Sequence, residues 1–306
     1  MRAFIFPGQG SQSVGMGRDL AAASRVARDL FQEVDEALGQ NLARLMADGP
    51  IEELTLTENA QPAIMANALA TFRVSGIDIA RADFVAGHSL GEYTALAAAG
   101  AFDVATAARL LKLRGRAMQA AVPVGEGAMA ALLGADLEIA RAVAEAAAEG
   151  QVCAVANDND PSQVVISGHR EAVERALGLA KEKGAKRAVL LPVSAPFHSP
   201  LMEPATRAME QALADAEIAR PAVPVYANVT AAPAQDPAEI RSLLVEQVTG
   251  MVRWRESVAA MAEAGVEEFV EFGGKVLAPM VKRIAPDAKV TSVITMDEID
   301  ALVREL

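Results

Sequence analysis

Only one cysteine, Cys153, occurs in the chain, so no intramolecular disulfide can form and a reducing compartment such as the cytoplasm is expected. It sits in an apolar run, which suits a small buried side chain better than a reactive thiol. Aromatic residues are scarce at 4%, and the formal net charge is −12. Together these argue against a general nucleic-acid binder, which needs a basic surface and often stacking rings. No apolar run is long enough to cross a bilayer, so no membrane partner is expected. The opening Met1–Gly8 has one basic residue and a short apolar run that stops at Pro7-Gly8, too brief for a secretory signal and suited to a first buried strand. Phosphate-binding motifs are missing as well. In the glycine loop Pro7–Ser13, position 13 is Ser where a dinucleotide fingerprint needs Gly, and no Gly-Lys-Ser/Thr follows. The loop can instead present backbone N–H groups to an active site.

What is present is organised around Gly87-His88-Ser89-Leu90-Gly91. A Gly-x-Ser-x-Gly run places its serine on a sharp turn between a strand and a helix. Asp83–Ala86 is an apolar run suited to a buried strand, and the alanine-rich Glu92–Ala99 suits a helix. The glycines permit close approach of strand and helix, and the helix N-terminus points its N–H groups at any oxyanion formed beside Ser89. The motif does not specify the acyl group or its acceptor.

With 306 residues and 52% hydrophobic content, the chain can bury a substantial core in one large domain or two modest ones. In order, a helical pattern over Met16–Leu38 is followed by one opened by Gly49-Pro50 and a third over Ala63–Val74 that begins after Gln61-Pro62. Asp103 caps a helix over Val104–Ala121, on whose partly apolar face Arg114 lies. An arginine there needs a partner, either a substrate carboxylate or a carboxylate of the protein. After Pro123–Gly127 the pattern becomes strand Ala128–Leu133, helix Leu137–Ala148, strands Val152–Ala156 and Gln163–Ser167, helix Arg170–Lys183 and strand Ala188–Leu191, the β-α-β-β-α-β order of a ferredoxin-like unit. Its acidic segment Asn157–Pro161 reads as a turn and lacks the Gly and Glu spacing of an EF-hand, so no metal is expected there. Strands and helices alternate from Met202 to the end, which predicts a mainly parallel sheet covered on both faces. The expected fold class is therefore α/β: a large hydrolase-like domain from residues 1–124 and 193–306, with a ferredoxin-like α+β domain, 125–192, inserted.

A serine hydroxyl needs a base, and there are only three histidines. His88 adjoins Ser89 and points away from it in an elbow, where it can brace the turn. His169 starts a helix of the inserted unit and reads as a capping or surface residue. His198 remains, on the proline-bounded loop Pro192–Pro200 between the two domains, where clefts and catalytic groups commonly lie. A large part of the chain follows His198, a poor match to the chain order of an ordinary α/β-hydrolase.

Phe6–Gln12, Gly87–Glu92, Leu113-Arg114-Gly115-Arg116, Ala195–Ser199 and the run from Gln247 to Glu271–Leu277 together resemble the bacterial malonyl-CoA:acyl carrier protein transacylases of type II fatty-acid synthesis, over nearly the whole chain. The resemblance implies that Ser89 takes a malonyl group from coenzyme A as an ester. It further implies that His198 is the base, that a backbone carbonyl of Gln247 orients its ring, and that the N–H groups of Gln9 and Leu90 form the oxyanion hole. Arg114 would pair with the free malonyl carboxylate. No cofactor is implied, since the coenzyme A thioester is substrate and phosphopantetheine belongs to the partner, an acyl carrier protein. A monomer is implied. Lys181, Lys183, Lys186 and Arg187 with Arg116 are candidates for the carrier's basic landing surface. The rival readings are a serine esterase or thioesterase, which would need a carboxylate on His198 and no use for Arg114, and an acyltransferase of a polyketide or malonate-decarboxylase system.

Overall fold

The computed structural model describes residues 1–306. Ten strands form two sheets: β1 (Arg2–Phe6), β2 (Phe84–Gly87), β3 (Gly127–Leu133), β4 (Cys153–Asp160), β5 (Gln163–His169), β6 (Arg187–Leu190), β7 (Val225–Ala227), β8 (Ala232–Ala234), β9 (Glu268–Phe272) and β10 (Lys289–Val293). The first sheet has the order β10-β9-β1-β2-β7-β8 and is parallel except for β8 at its edge. Its strands are buried on both faces because alternate side chains enter different cores. Phe4 and Phe6 meet Phe72 and Phe272 on one side, with ring centroids 5.2–6.3 Å apart. Ala3 and Ile5 face Trp254, Val258 and Val281 on the other. Four of the chain's nine phenylalanines thus form one cluster on this sheet.

The second sheet is antiparallel, with the order β4-β5-β3-β6, and is built entirely from residues 127–190. Helices Leu137–Ala148 and Arg170–Leu179 pack on it around Val143, Val164, Ile166 and Val173. The end of β4 is fastened to the first unit: the Asp158 N–H donates to the Val252 carbonyl, and the Val252 N–H donates to that of Ala156, both at 2.9 Å. The buried carboxylates of Asp158 and Asp160 pair with Arg255 and Arg283 at 2.8 and 2.7 Å. Asn157–Asp160 is therefore strand and not the expected turn, because arginines from the larger unit satisfy acids that a lone sheet could not bury.

Other boundaries differ from expectation for equally local reasons. The helical pattern over Met16–Leu38 breaks at Ser24, whose extended backbone separates Arg18–Ala23 from Arg25–Leu38. The helix expected from Ala63 starts at Thr57 and contains Pro62. Tertiary packing explains this: the helix Val104–Ala121 presses Gly115 onto the backbone of Thr57 and Glu58, where an added Cβ would lie 2.5–2.7 Å from main-chain atoms. Strand β8 holds Pro233, which hides it from a strand pattern but is tolerated at a sheet edge. His169 stands at the N-cap position of the helix that follows, but its side chain makes no cap bond; its Nδ1 accepts from the Val152 N–H at 2.9 Å instead. Cys153 is half-buried, not fully enclosed, and burial pushes its thiol up to about 11.

Gly115→Ala should destabilise the chain by about 1–3 kcal/mol through overpacking. Gly178→Ala, within a helix and with no atom near its added Cβ, should stabilise it by about 0.5–1 kcal/mol. Urea unfolding midpoints check both. Equal shifts in the two variants would contradict the packing described for Thr57–Glu58.

Candidate active site

The turn between β2 and the helix Leu90–Ala98 carries Ser89 at φ 54°, ψ −111°. A non-glycine residue in this region is strained, so the surroundings must hold it there. An added Cβ on Gly87 would lie 1.9 Å from the Gly91 carbonyl, and one on Gly91 would lie 2.4 Å from the Phe6 oxygen. Only glycine fits at either position, which is why strand, turn and helix close so tightly. Asn228 then fixes the turn by accepting from the Ser89 N–H and donating to the Gly87 carbonyl, each at 2.8 Å.

His198, also at positive φ, is 3% exposed and lies 2.7 Å through Nε2 from Ser89 Oγ. Its Nδ1 faces two acceptors, the carbonyls of Gln247 and Gly250, both at 3.0 Å. Nδ1 must therefore carry the proton, and the Nε2 lone pair faces the serine hydroxyl. No carboxylate orients the ring. Burial, then the charge of Arg114, then His88, push the imidazole down to about 3, so it is a free base at neutral pH. His88 points elsewhere: its Nε2 is 2.8 Å from Asn159 Oδ1, which ties the elbow to the end of β4.

Arg114 is 1% exposed. Its guanidinium donates to Gln61 Oε1 at 2.8 Å, Gln247 Oε1 at 2.9 Å and Ser89 Oγ at 3.2 Å. It stands over the Tyr93 ring, 5.7 Å from the centroid. All three acceptors are neutral, and none of the chain's ion pairs includes it. Of the two partners open to Arg114 from sequence, a protein carboxylate is thus not the one present. Burial lowers its pKa, yet a guanidinium stays charged.

The cleft above these residues has a volume of about 280 Å³ and is lined by Gln9, Ser89, Leu90, Arg114, Met129 and His198 among others. The Gln9 N–H donates to no protein acceptor, and Leu90 opens its helix, where the first N–H groups have no intrahelical partner. The loops that carry Gln9 and His198 are braced internally, the first by Ser11 Oγ donating to the Gly8 carbonyl at 2.9 Å and the second by Ser199 Oγ donating to that of Pro196 at 2.8 Å. One wall of the cleft lies beside the end of β6, where the Leu191 N–H donates to the Met129 carbonyl. Lys181, Lys183, Lys186 and Arg187 are exposed but lie toward the opposite end of that strand, where Arg187 pairs with Leu133, roughly 13 Å away at the rise of a strand. Arg116 is paired with Glu58 at 2.8 Å.

Of the residues that the sequence or the family resemblance pointed to, Ser89, His198, Gln9, Leu90 and Arg114 line one cleft, and Gln247 lies buried behind it, bonded to Arg114 and His198. Sequence reading missed Gly250 as second acceptor for the ring, Gln61 and Asn228, none of which lies in a motif. It also left Glu92 without a role. This residue is 3% exposed, and its Oε2 accepts from the Asn228 N–H at 3.0 Å and Gln247 Nε2 at 2.8 Å. Burial raises its carboxyl to about 7 against those hydrogen bonds and Arg114.

Residues 3–282 match the acyl transferase domain family. The malonyl CoA-acyl carrier protein transacylase of Bacillus subtilis (strain 168) is 45% identical, over 99% of this chain and 96% of its own. The crystal structure of an acyl-carrier-protein-S-malonyltransferase from Bartonella henselae superposes with a TM-score of 0.97 at 51% identity, covering 99% of this chain and 98% of that one. A malonyl-transacylase solved in complex with a type II PKS acyl-carrier protein gives a TM-score of 0.96 at 41% identity, with 100% and 99% covered. By sequence and by fold, the chain belongs to the acyl transferase domain family and, within it, to the malonyl CoA-acyl carrier protein transacylases.

Proposed function

We propose that this acyltransferase moves a malonyl group from malonyl-CoA to the phosphopantetheine thiol of an acyl carrier protein through an ester on Ser89. The observation that carries the reading is Arg114, a buried cation without an ionic partner of the protein's own, 3.2 Å from Ser89 Oγ. A malonyl carboxylate offsets the cost of that buried charge with a bidentate pair. Ser89 Oγ attacks the thioester carbonyl as its proton passes to His198 Nε2, and the N–H groups of Gln9 and Leu90 receive the oxyanion. Collapse expels the coenzyme A sulfur, which takes the proton from His198. The carrier thiol then gives its proton to the same nitrogen and attacks the ester, and collapse breaks the bond to Ser89 Oγ, which takes that proton back from His198. General-base help of this kind contributes about 100- to 10,000-fold, and one oxyanion donor about 3 kcal/mol.

The thioester carries the acyl group in and a thiol carries it out, so the chain's own residues suffice without a cofactor. An esterase or thioesterase would have no use for Arg114, and the ring of His198 is oriented by carbonyls instead of the acid such a reading needs. Supply of fatty-acid elongation follows from this reading; a polyketide carrier presents the same thiol. A cytoplasmic monomer that engages neither nucleic acid nor membrane belongs to it as well, supported by the family resemblance, the lone cysteine and the acidic charge. No helix is long and apolar enough to cross a membrane.

Arg114→Ala should lower kcat/KM for malonyl-CoA by about 100-fold or more and acetyl-CoA far less, since it removes a charge-assisted pair that only malonyl can make. Equal losses in parallel steady-state assays would refute the carboxylate role. Because His198 is neutral above about 3, acylation of Ser89 by an uncharged p-nitrophenyl ester should stay within about twofold from pH 8 to pH 5. An imidazole of ordinary pKa would lose about 30-fold over that range. A decline through pH 6.5 would contradict the burial-driven shift.

A further inference from the structure

Beneath the elbow, one carboxylate organises two amides. Glu92 Oε2 accepts from the Asn228 main-chain N–H and from Gln247 Nε2, while Asn228 Oδ1 accepts from the Ser89 N–H. Gln247 Nε2 also faces the Ser89 carbonyl at 3.1 Å and Asn228 Oδ1 at 3.3 Å, longer contacts to neutral oxygens. The two ends of a glutamine amide have the same shape, so their partners decide which is which. A flipped Gln247 would turn its NH2 toward the Arg114 guanidinium, placing donor against donor, and its oxygen toward the Glu92 carboxylate.

We propose that Glu92 is a positioning residue for acyl-group selection: it holds the Gln247 amide with Oε1 toward Arg114 and so fixes the guanidinium where the substrate carboxylate binds. The Glu92 oxygen is the nearest acceptor that Nε2 meets, and the same oxygen anchors Asn228. Arg114 has Gln61 as its other close acceptor and Ser89 Oγ at 3.2 Å, so losing Gln247 removes one of the three bonds that set the direction of the guanidinium. An acetyl group has no carboxylate and does not need the guanidinium in place. The role is one of hydrogen bonding at a set length, which distinguishes it from a general counter-charge. It rests on the reading of Arg114 as the carboxylate's partner.

Glu92→Gln keeps the side-chain length and an acceptor but loses the charge; Glu92→Asp keeps the charge but falls one methylene short of Gln247. Steady-state kinetics with malonyl-CoA and acetyl-CoA, one carrier protein and wild-type enzyme alongside should show Glu92→Asp losing about 10- to 100-fold in kcat/KM for malonyl, mostly in KM. Acetyl transfer should change by less than about threefold. Glu92→Gln should recover most of the malonyl rate, and Glu92→Asp placed in an Arg114→Ala background should add no further loss. Equal losses for both acyl groups, a Gln variant as weak as the Asp variant, or a loss that adds to that of Arg114→Ala would each overturn the proposal, while malonyl transfer by the wild type leaves the proposed function standing. A wild type that does not prefer malonyl would overturn the Arg114 reading and the proposal with it.

Discussion

A guanidinium at 1% exposure, with neutral acceptors and an aromatic ring as its only contacts, is the constraint around which this structure is built. Burying a charge with no opposite one in contact is costly, on the order of several kcal/mol after relaxation, and the Glu92 carboxyl attracts it only from across Gln247. The fold meets that cost in part with Gln61, Gln247 and Tyr93, three groups drawn from separate helices or their ends. The remaining imbalance faces the cleft. Since Arg114 also lies next to Ser89, its charge lowers the basicity of His198 in the free enzyme, second only to burial. In the proposed function a bound carboxylate would neutralise that charge and ease proton transfer to the ring, so recognition and chemistry would share one electrostatic element.

The elbow and the inserted unit supply the rigidity this needs. Ser89 and His198 both occupy strained backbone positions, and each is held by contacts from distant parts of the chain: Asn228 at the end of β7 for the first, Gln247 and Gly250 for the second. The second sheet is not a loosely tethered lid. Its strand β4 reaches the elbow through Asn159 and His88 and is anchored by the Asp158 and Asp160 ion pairs, while Met129 and Leu191 contribute to the cleft wall on the other side.

Much of this was legible in the sequence, and what was not has definite causes. The elbow announces itself because glycine is the only residue that fits at positions 87 and 91. His198 could be reached by elimination because only three histidines exist. The parallel sheet and the order of the inserted unit follow from alternating strand and helix patterns, to within a few residues. Contacts between remote segments were invisible. No local pattern marks Asn228 or Gly250, Pro62 concealed a helix start that packing at Gly115 enforces, and the acids of β4 looked like a turn because their arginine partners lie about 100 residues away or more. Glu92 stood within a quoted motif, yet its importance comes from Gln247, 155 positions along the chain.

The most direct test is intact-mass spectrometry of the protein after brief exposure to malonyl-CoA, with acetyl-CoA in parallel, followed by addition of an acyl carrier protein in its thiol form. A malonyl adduct on Ser89 that survives in water, exceeds the acetyl adduct and passes to the carrier is the expected result. Release of coenzyme A with no lasting adduct and no acylated carrier would identify a hydrolase and contradict the account of Arg114 and His198 given above.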